Sequence, residues 1–254
     1  MRNVKIILAG FGVLACSMAN AEGWSFGIGT GISVLDVSGD GGFNTQLLGP
    51  VEFDLSLNPS EVNDYMESAF GLGGFAKNGD LTIKYSVGKL ELEGDASTVD
   101  NGNTNVVDLN FTTVGVEVLV DYVFSQSGNN TWGAIGGLRY IDQEYDAQLT
   151  VNGTEVFDGS VDDSWVDLVV GVRYSYAFSP TLSWSSQLDY SVGGSEGGAH
   201  VSTSLNKVLG SGWLVSGFVD FKTVEFEEGN RGDDDWYYYE ADETKAGVSL
   251  LYLF

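Results

Sequence analysis

The chain has 254 residues, 43% of them hydrophobic and 13% aromatic, with 36 acidic against 11 basic side chains and a net charge of −25. So negative a surface excludes nucleic-acid partners and anchoring to anionic lipid by a basic patch, while the apolar content excludes a disordered acidic chain. With 35 Gly, 3 Pro and no long apolar run outside the N-terminus, the composition suits strands, not a transmembrane helix.

The chain opens MRNVKIILAGFGVLACSMANA. Arg2 and Lys5 give a positive start, Ile6 to Ala15 an apolar or small core, and Ala19-Asn20-Ala21 a small-x-small cleavage site before Glu22. This predicts a secretory signal peptide over 1–21, too short to span a bilayer as a helix, followed by one domain over 22–254. The only cysteine, Cys16, follows Val13-Leu14-Ala15, which loosely resembles a lipoprotein cleavage box. Cleavage after Ala21 leaves no cysteine, hence no disulfide, and nine basic against 36 acidic residues, a charge of −27.

Ten alternating segments follow, at about 24–36, 66–76, 81–93, 106–124, 131–150, 164–178, 181–193, 199–209, 213–226 and 238–254. In 164–178, Val166, Leu168, Val170, Val172, Tyr174, Tyr176 and Phe178 share one parity, and Trp165, Asp167, Val169, Gly171, Arg173, Ser175 and Ala177 the other. In a strand these sets face opposite sides. Apolar stripes of this length with aromatic ends match a hydrocarbon band with interfacial girdles. Trp24, Trp132, Trp184 and Trp213 sit at the ends assigned to the periplasmic interface. Short connections (77–80, 125–130, 179–180, 210–212) alternate with mostly long, acidic ones (37–65, 94–105, 151–163, 227–237), with 193–198 as the short exception. That is the asymmetry of outer-membrane barrels, so the predicted fold is all-β: a transmembrane antiparallel up-and-down β-barrel of ten strands, with eight as the alternative. The last strand, AGVSLLYLF, turns Val248, Leu250, Tyr252 and Phe254 to lipid.

On the inward parity lie Lys84, Arg139, Arg173, Lys222 and Lys245, with Glu117, Asp121, Asp167, Asp189 and Asp220. Five against five predicts a neutral, charge-paired lumen, either a structural plug or the lining of a narrow solute path. Gly27, Gly29, Gly31, Gly71 and Gly73 are read as leaving room for the long basic side chains. Lys207 falls on the outward side, near a short turn where it can snorkel.

Other motifs carry less. His200 and Ser202 share a face in a pattern similar to the His-x-Ser of outer-membrane lipid A deacylases, but they point inward and no acid at an obvious spacing orients the imidazole. The runs Asp233-Asp234-Asp235 and Asp158…Asp162-Asp163 offer carboxylates to divalent cations without the spacing of an EF-hand. GLGGFAK (71–77) lacks the ending and the helix of a phosphate loop.

Several stretches resemble a family of small, mostly uncharacterised Gram-negative outer-membrane β-barrels: QLLGPVEFDLSLNPSEVNDYM (46–66), GGLRYID (136–142), and 162–194 with Trp165, Val166, Asp167, Gly171, Arg173 and Tyr174. The resemblance implies a barrel in the outer membrane and no known reaction or ligand. The terminal aromatics Tyr252 and Phe254 resemble the signal read by the barrel-assembly machinery. The reading is therefore an integral outer-membrane protein with a structural or surface role or a narrow channel, with no enzymatic activity, cofactor or metal centre. Its partners are outer-membrane lipid, lipopolysaccharide and the assembly machinery, with divalent cations at the acidic loops. The alternatives are a lipid-modifying enzyme or a surface barrel that captures ligands through those loops.

Overall fold

The computed structural model describes residues 23–45, 49–100, 103–233 and 236–254. The predicted signal peptide lies outside them. The strands are β1 (Trp24–Thr45), β2 (Gly49–Leu57), β3 (Met66–Asn78), β4 (Leu81–Asp100), β5 (Asn103–Ser127), β6 (Asn130–Val151), β7 (Thr154–Ser179), β8 (Leu182–Gly193), β9 (Gly198–Val208), β10 (Trp213–Glu228) and β11 (Tyr237–Leu253). A short helix, α1 (Pro59–Tyr65), joins β2 to β3. Every ladder is antiparallel: β1 pairs with both β2 and β3, β3 to β11 pair in chain order, and β11 pairs with β1 to close a ten-stranded barrel. β2 pairs only with the upper end of β1, from Val37↔Leu57 to Thr45↔Gly49.

The register fixes the barrel's shape. A line across the ladders runs Ser25, Lys77, Thr82, Asp121, Ile135, Gly171, Asp189, His200, Lys222 and Glu243. It returns to β1 at Val37, twelve residues above its start. That stagger on ten strands tilts them by about 40°. The same line carries six ionisable residues, Lys77, Asp121, Asp189, His200, Lys222 and Glu243, so sequence-distant charges become neighbours.

Outward side chains form an apolar band. Its lower edge is aromatic: Trp24 stacks on Phe26 (6.3 Å), Phe26 on Phe254 (5.8 Å), Phe254 on Tyr252 (6.3 Å), and Trp213 meets Tyr252 (5.1 Å). Trp132, Tyr174 and Trp184 continue it, at 4.9 and 5.7 Å. Above lie exposed Val118, Leu138, Leu168, Val170, Leu188, Leu205 and Val248, ending near Phe70, Val166, Tyr190 and Phe221. Phe26 and Phe254 exchange backbone hydrogen bonds at 2.9 and 3.0 Å, which ties the last residue into the wall.

Above the band the parity of apolar residues reverses on the same strands. On β7 the lipid side is Val166, Leu168 and Val170, but Val161 and Trp165 point inward; on β11, Leu250 and Val248 point out, while Ala241, Tyr239 and Tyr237 point in. Phe43, Tyr145, Trp165, Val224, Phe226, Tyr237, Tyr239 and Ala241 form one buried core, with Val37, Phe111, Ile141 and Val161 against it. Here side chains of β1, β10 and β11 pack directly against those of β5, β6 and β7. The short β8–β9 hairpin makes this possible. Over its end Trp165 stacks on Phe226 (4.2 Å, 13° between planes), joining β7 to β10. The 193–198 loop fills the remaining gap: Gly194 N donates to Val166 O and Glu196 N to Glu225 O.

Three expectations need correction. The regions 94–105 and 151–163 are largely strand, extending the β4–β5 and β6–β7 hairpins. The 37–65 connection contains the top of β1, β2 and α1, not a plain loop. α1 is set by a capping box: Asn58 Oδ1 accepts from Ser60 N and Glu61 N at 3.0 and 3.2 Å, and Glu61 Oε2 accepts from Asn58 N at 2.9 Å.

Candidate functional site

The inward charges gather in three groups at different heights. The lowest joins β4, β5 and β7. Asp121 is buried; Lys84 Nζ lies 3.0 Å from its Oδ2, and Arg173 binds it through Nε and, at 3.0 Å, Nη2. Gly133 makes this pair fit, since a Cβ there would collide with the Asp121 carboxylate and touch Arg173. Arg173 also donates to Ser175 Oγ at 2.6 Å.

The second group centres on Arg139. Its Nε and Nη2 donate to Glu117 Oε2 at 2.8 and 2.6 Å, and Nη2 reaches Asp189 Oδ1 at 3.3 Å. Gln187 links the two groups: it accepts from Lys84 at 3.2 Å and donates to Asp189 Oδ2 at 2.7 Å. His200 Nδ1 meets the same Asp189 oxygen at 2.8 Å. The acid that sequence spacing did not provide therefore comes from the neighbouring strand, where Asp189 lies opposite His200. A carboxylate on one ring nitrogen fixes the ring's orientation.

The third group lies on β10 and β11. Glu243 Oε2 accepts from Lys245 Nζ at 3.1 Å, and its Oε1 lies 3.6 Å from Lys222 Nζ. Sequence reasoning missed Glu243, although it stands two residues from Lys245 on the same parity, and it adds a sixth inward carboxylate to the expected five. Asp220 lies opposite Lys245 in the β10–β11 ladder. Asp167 joins none of these groups. It faces Arg139 across the β6–β7 ladder, yet its oxygens accept from Ser195 N at 2.8 Å and Ser195 Oγ at 2.7 Å, so it anchors the 193–198 loop.

The glycines also act differently from their sequence reading. A Cβ on Gly27 would strike the Phe75 ring and one on Gly29 would strike Leu251, so both make room for apolar side chains, not basic ones. Lys207 is outward, with Nζ donating to Thr181 Oγ1 at 2.9 Å beside the β7–β8 turn. An outward pair missed in sequence, Lys89 and Glu91 (2.8 Å), marks the upper edge of the band on β4. Asp234 and Asp235 lie outside the described residues, and Asp233 accepts from Asn230 N and Nδ2 at 3.1 and 2.9 Å. Among the described residues no three acidic, His or Cys side chains converge as a metal site.

No protein-family model and no curated protein matches the chain. Solved structures do. The outer-membrane protease OmpT from Escherichia coli aligns with a TM-score of 0.57 at 10% identity, over 92% of this chain and 97% of that one. The translocator domain of the autotransporter NalP from Neisseria meningitidis aligns with a TM-score of 0.50 at 12% identity, over 92% and 90%. The fold is that of an outer-membrane β-barrel. The expectation of no enzymatic activity is corrected by the OmpT match: a protease is built on this same fold, so the barrel gives no ground for excluding catalysis.

Proposed function

We propose that the chain is an integral outer-membrane protein whose barrel is closed to solute passage and whose role is carried by the wall and loops standing above the membrane. The observation that supports this is the reversal of parity at one height around the barrel. Below it, apolar side chains face outward, as hydrocarbon requires; above it, they fill the interior. The aromatic core thus lies above the charged lumen, and Arg139, Asp121, Asp167 and Asp189 beneath it are buried. On this reading the ion pairs hold the wall together and select no solute.

The sequence resemblance to small outer-membrane barrels supports the same placement. Lipid and lipopolysaccharide would cover the band, and the assembly machinery would read Tyr252 and Phe254 at its lower edge. Removal of residues 1–21 would be seen as an intact mass beginning at Glu22. Planar-bilayer recording of refolded protein tests the closed lumen. A silent bilayer is expected, and discrete conductance steps would overturn the reading.

A further inference from the structure

The wall is interrupted between β1 and β3. Among the described residues their ladder runs only from Trp24↔Asn78 to Gly29↔Gly73. Above it Thr30 Oγ1 donates to Gly71 O at 2.5 Å, a side chain standing in for the next ladder bond. β1 then takes β2 as its partner from Val37, and α1 crosses from Leu57 to Met66. This leaves a wedge-shaped window bounded by residues 31–36, residues 66–72 and α1. It straddles the upper edge of the apolar band, where Phe70 lies opposite Lys89 and Ser68 opposite Glu91.

Three observations show that the window is real space. Gly31, Ile32, Ser33 and Val34 are all exposed in succession, which a strand sealed on one face does not permit. A Cβ built on Gly71 would meet no atom within 4 Å. Behind the window the lumen is open, with inward Ser33 and Ser86 exposed and the Lys245 side chain 42% exposed, whereas Arg139 is 8% exposed on the opposite wall. An unpaired strand edge inside hydrocarbon is tolerated only where it lines a watery or polar cavity.

The window has two chemistries. Its lipid-facing rim is Ile32, Val34, Phe70 and Leu72, all exposed. Its inner side presents an ammonium, and Lys245 and Lys222 share the single carboxylate Glu243, with Asp220 across the ladder as the opposing charge. We propose that the window is a lateral portal for a single-chain anionic amphiphile of the outer leaflet. The head enters to pair with Lys245, and the tail stays along Ile32, Val34, Phe70 and Leu72. The proposal rests on the membrane-embedded reading above, but not on a closed lumen.

The test titrates the purified chain, in phosphatidylcholine nanodiscs, with a fluorescent long-chain alkyl carboxylate. Alkyl phosphate and alkyltrimethylammonium of equal chain length serve as competitors. Saturable binding displaced by the phosphate and not by the ammonium is expected, and this arm needs no variant. Lys245→Gln should weaken binding by at least about tenfold, the loss of a charge-assisted pair. Asp220→Asn should tighten it, a sign that a merely structural role would not produce. Gly71→Trp should plug the window and remove binding, while Leu188→Trp on the distant lipid face leaves it unchanged. Unsaturable partitioning, equal displacement by the cationic chain, or full binding by Gly71→Trp would overturn the portal. Conductance is read separately, so a leaky barrel would not be mistaken for a missing portal.

Discussion

Arg139 and Lys84 both pair with buried carboxylates, yet their loss should cost different amounts. Among the described residues Arg139 alone bonds Glu117, and it also contacts the buried Asp189, so Arg139→Ala strands carboxylate charge in the lumen. Breaking such a buried pair from one side costs about 3–5 kcal/mol. Asp121 keeps Arg173 when Lys84 is removed, and Lys84 is itself a third exposed, so Lys84→Ala should cost less than half as much. Urea unfolding of the two variants in detergent measures both. Equal losses would mean that the lumen carboxylates are wet enough to need no partner. The inward parity of these residues was legible from alternation alone. Their pairing was not, because it depends on the β8–β9 register that sets Asp189 opposite His200 and on a twelve-residue stagger around the barrel that brings Gln187 to Lys84.

The β7–β10 contact rests on a hairpin too short to separate them. β8 and β9 end at Gly193 and Gly198, while β7 and β10 continue upward until Trp165 and Phe226 stack. Glycines permit the loop's close approach: a Cβ on Gly198 would strike the Thr223 carbonyl, and one on Gly194 would crowd Trp165. Trp165→Ala should remove the stack and cost about 3–5 kcal/mol. It should also expose 193–198 to proteases that leave the parent protein uncut; an uncut variant would show that Asp167–Ser195 alone holds the loop. Nothing in the sequence marked this region as strand and core together. Past Glu93 and before Ser164 the lipid side of the alternation ends, because both outer faces of those hairpins meet water. The inward Tyr145, Trp165 and Tyr237 then look like breaks in the pattern when they are its reversal.

Two solvents act on one continuous sheet, and the boundary between them is where the apolar residues change sides. The lower part buries charge and shows hydrocarbon to lipid; the upper part buries aromatic rings and shows Glu144, Asp162, Glu225 and Glu240 to water. The upper core therefore has an alkaline limit of its own. Burial pushes the phenols of Tyr145, Tyr237 and Tyr239 well above their ordinary value near 10, with nearby Glu243 adding to the effect on Tyr145 and Tyr239. A phenol whose folded pKa is raised contributes stability that is complete below the unfolded value and disappears as pH climbs through the folded one. Tyrosinate absorbance should accordingly rise in two steps. Phenols outside the upper core supply the first step. A buried class should stay silent until the upper core opens, at a pH where the membrane-spanning wall still holds. Removing Tyr239 as Tyr239→Phe should shrink the second step without moving the first. A single step near the ordinary phenol value would mean that water already reaches this core, and the lumen beneath it would then be open from above.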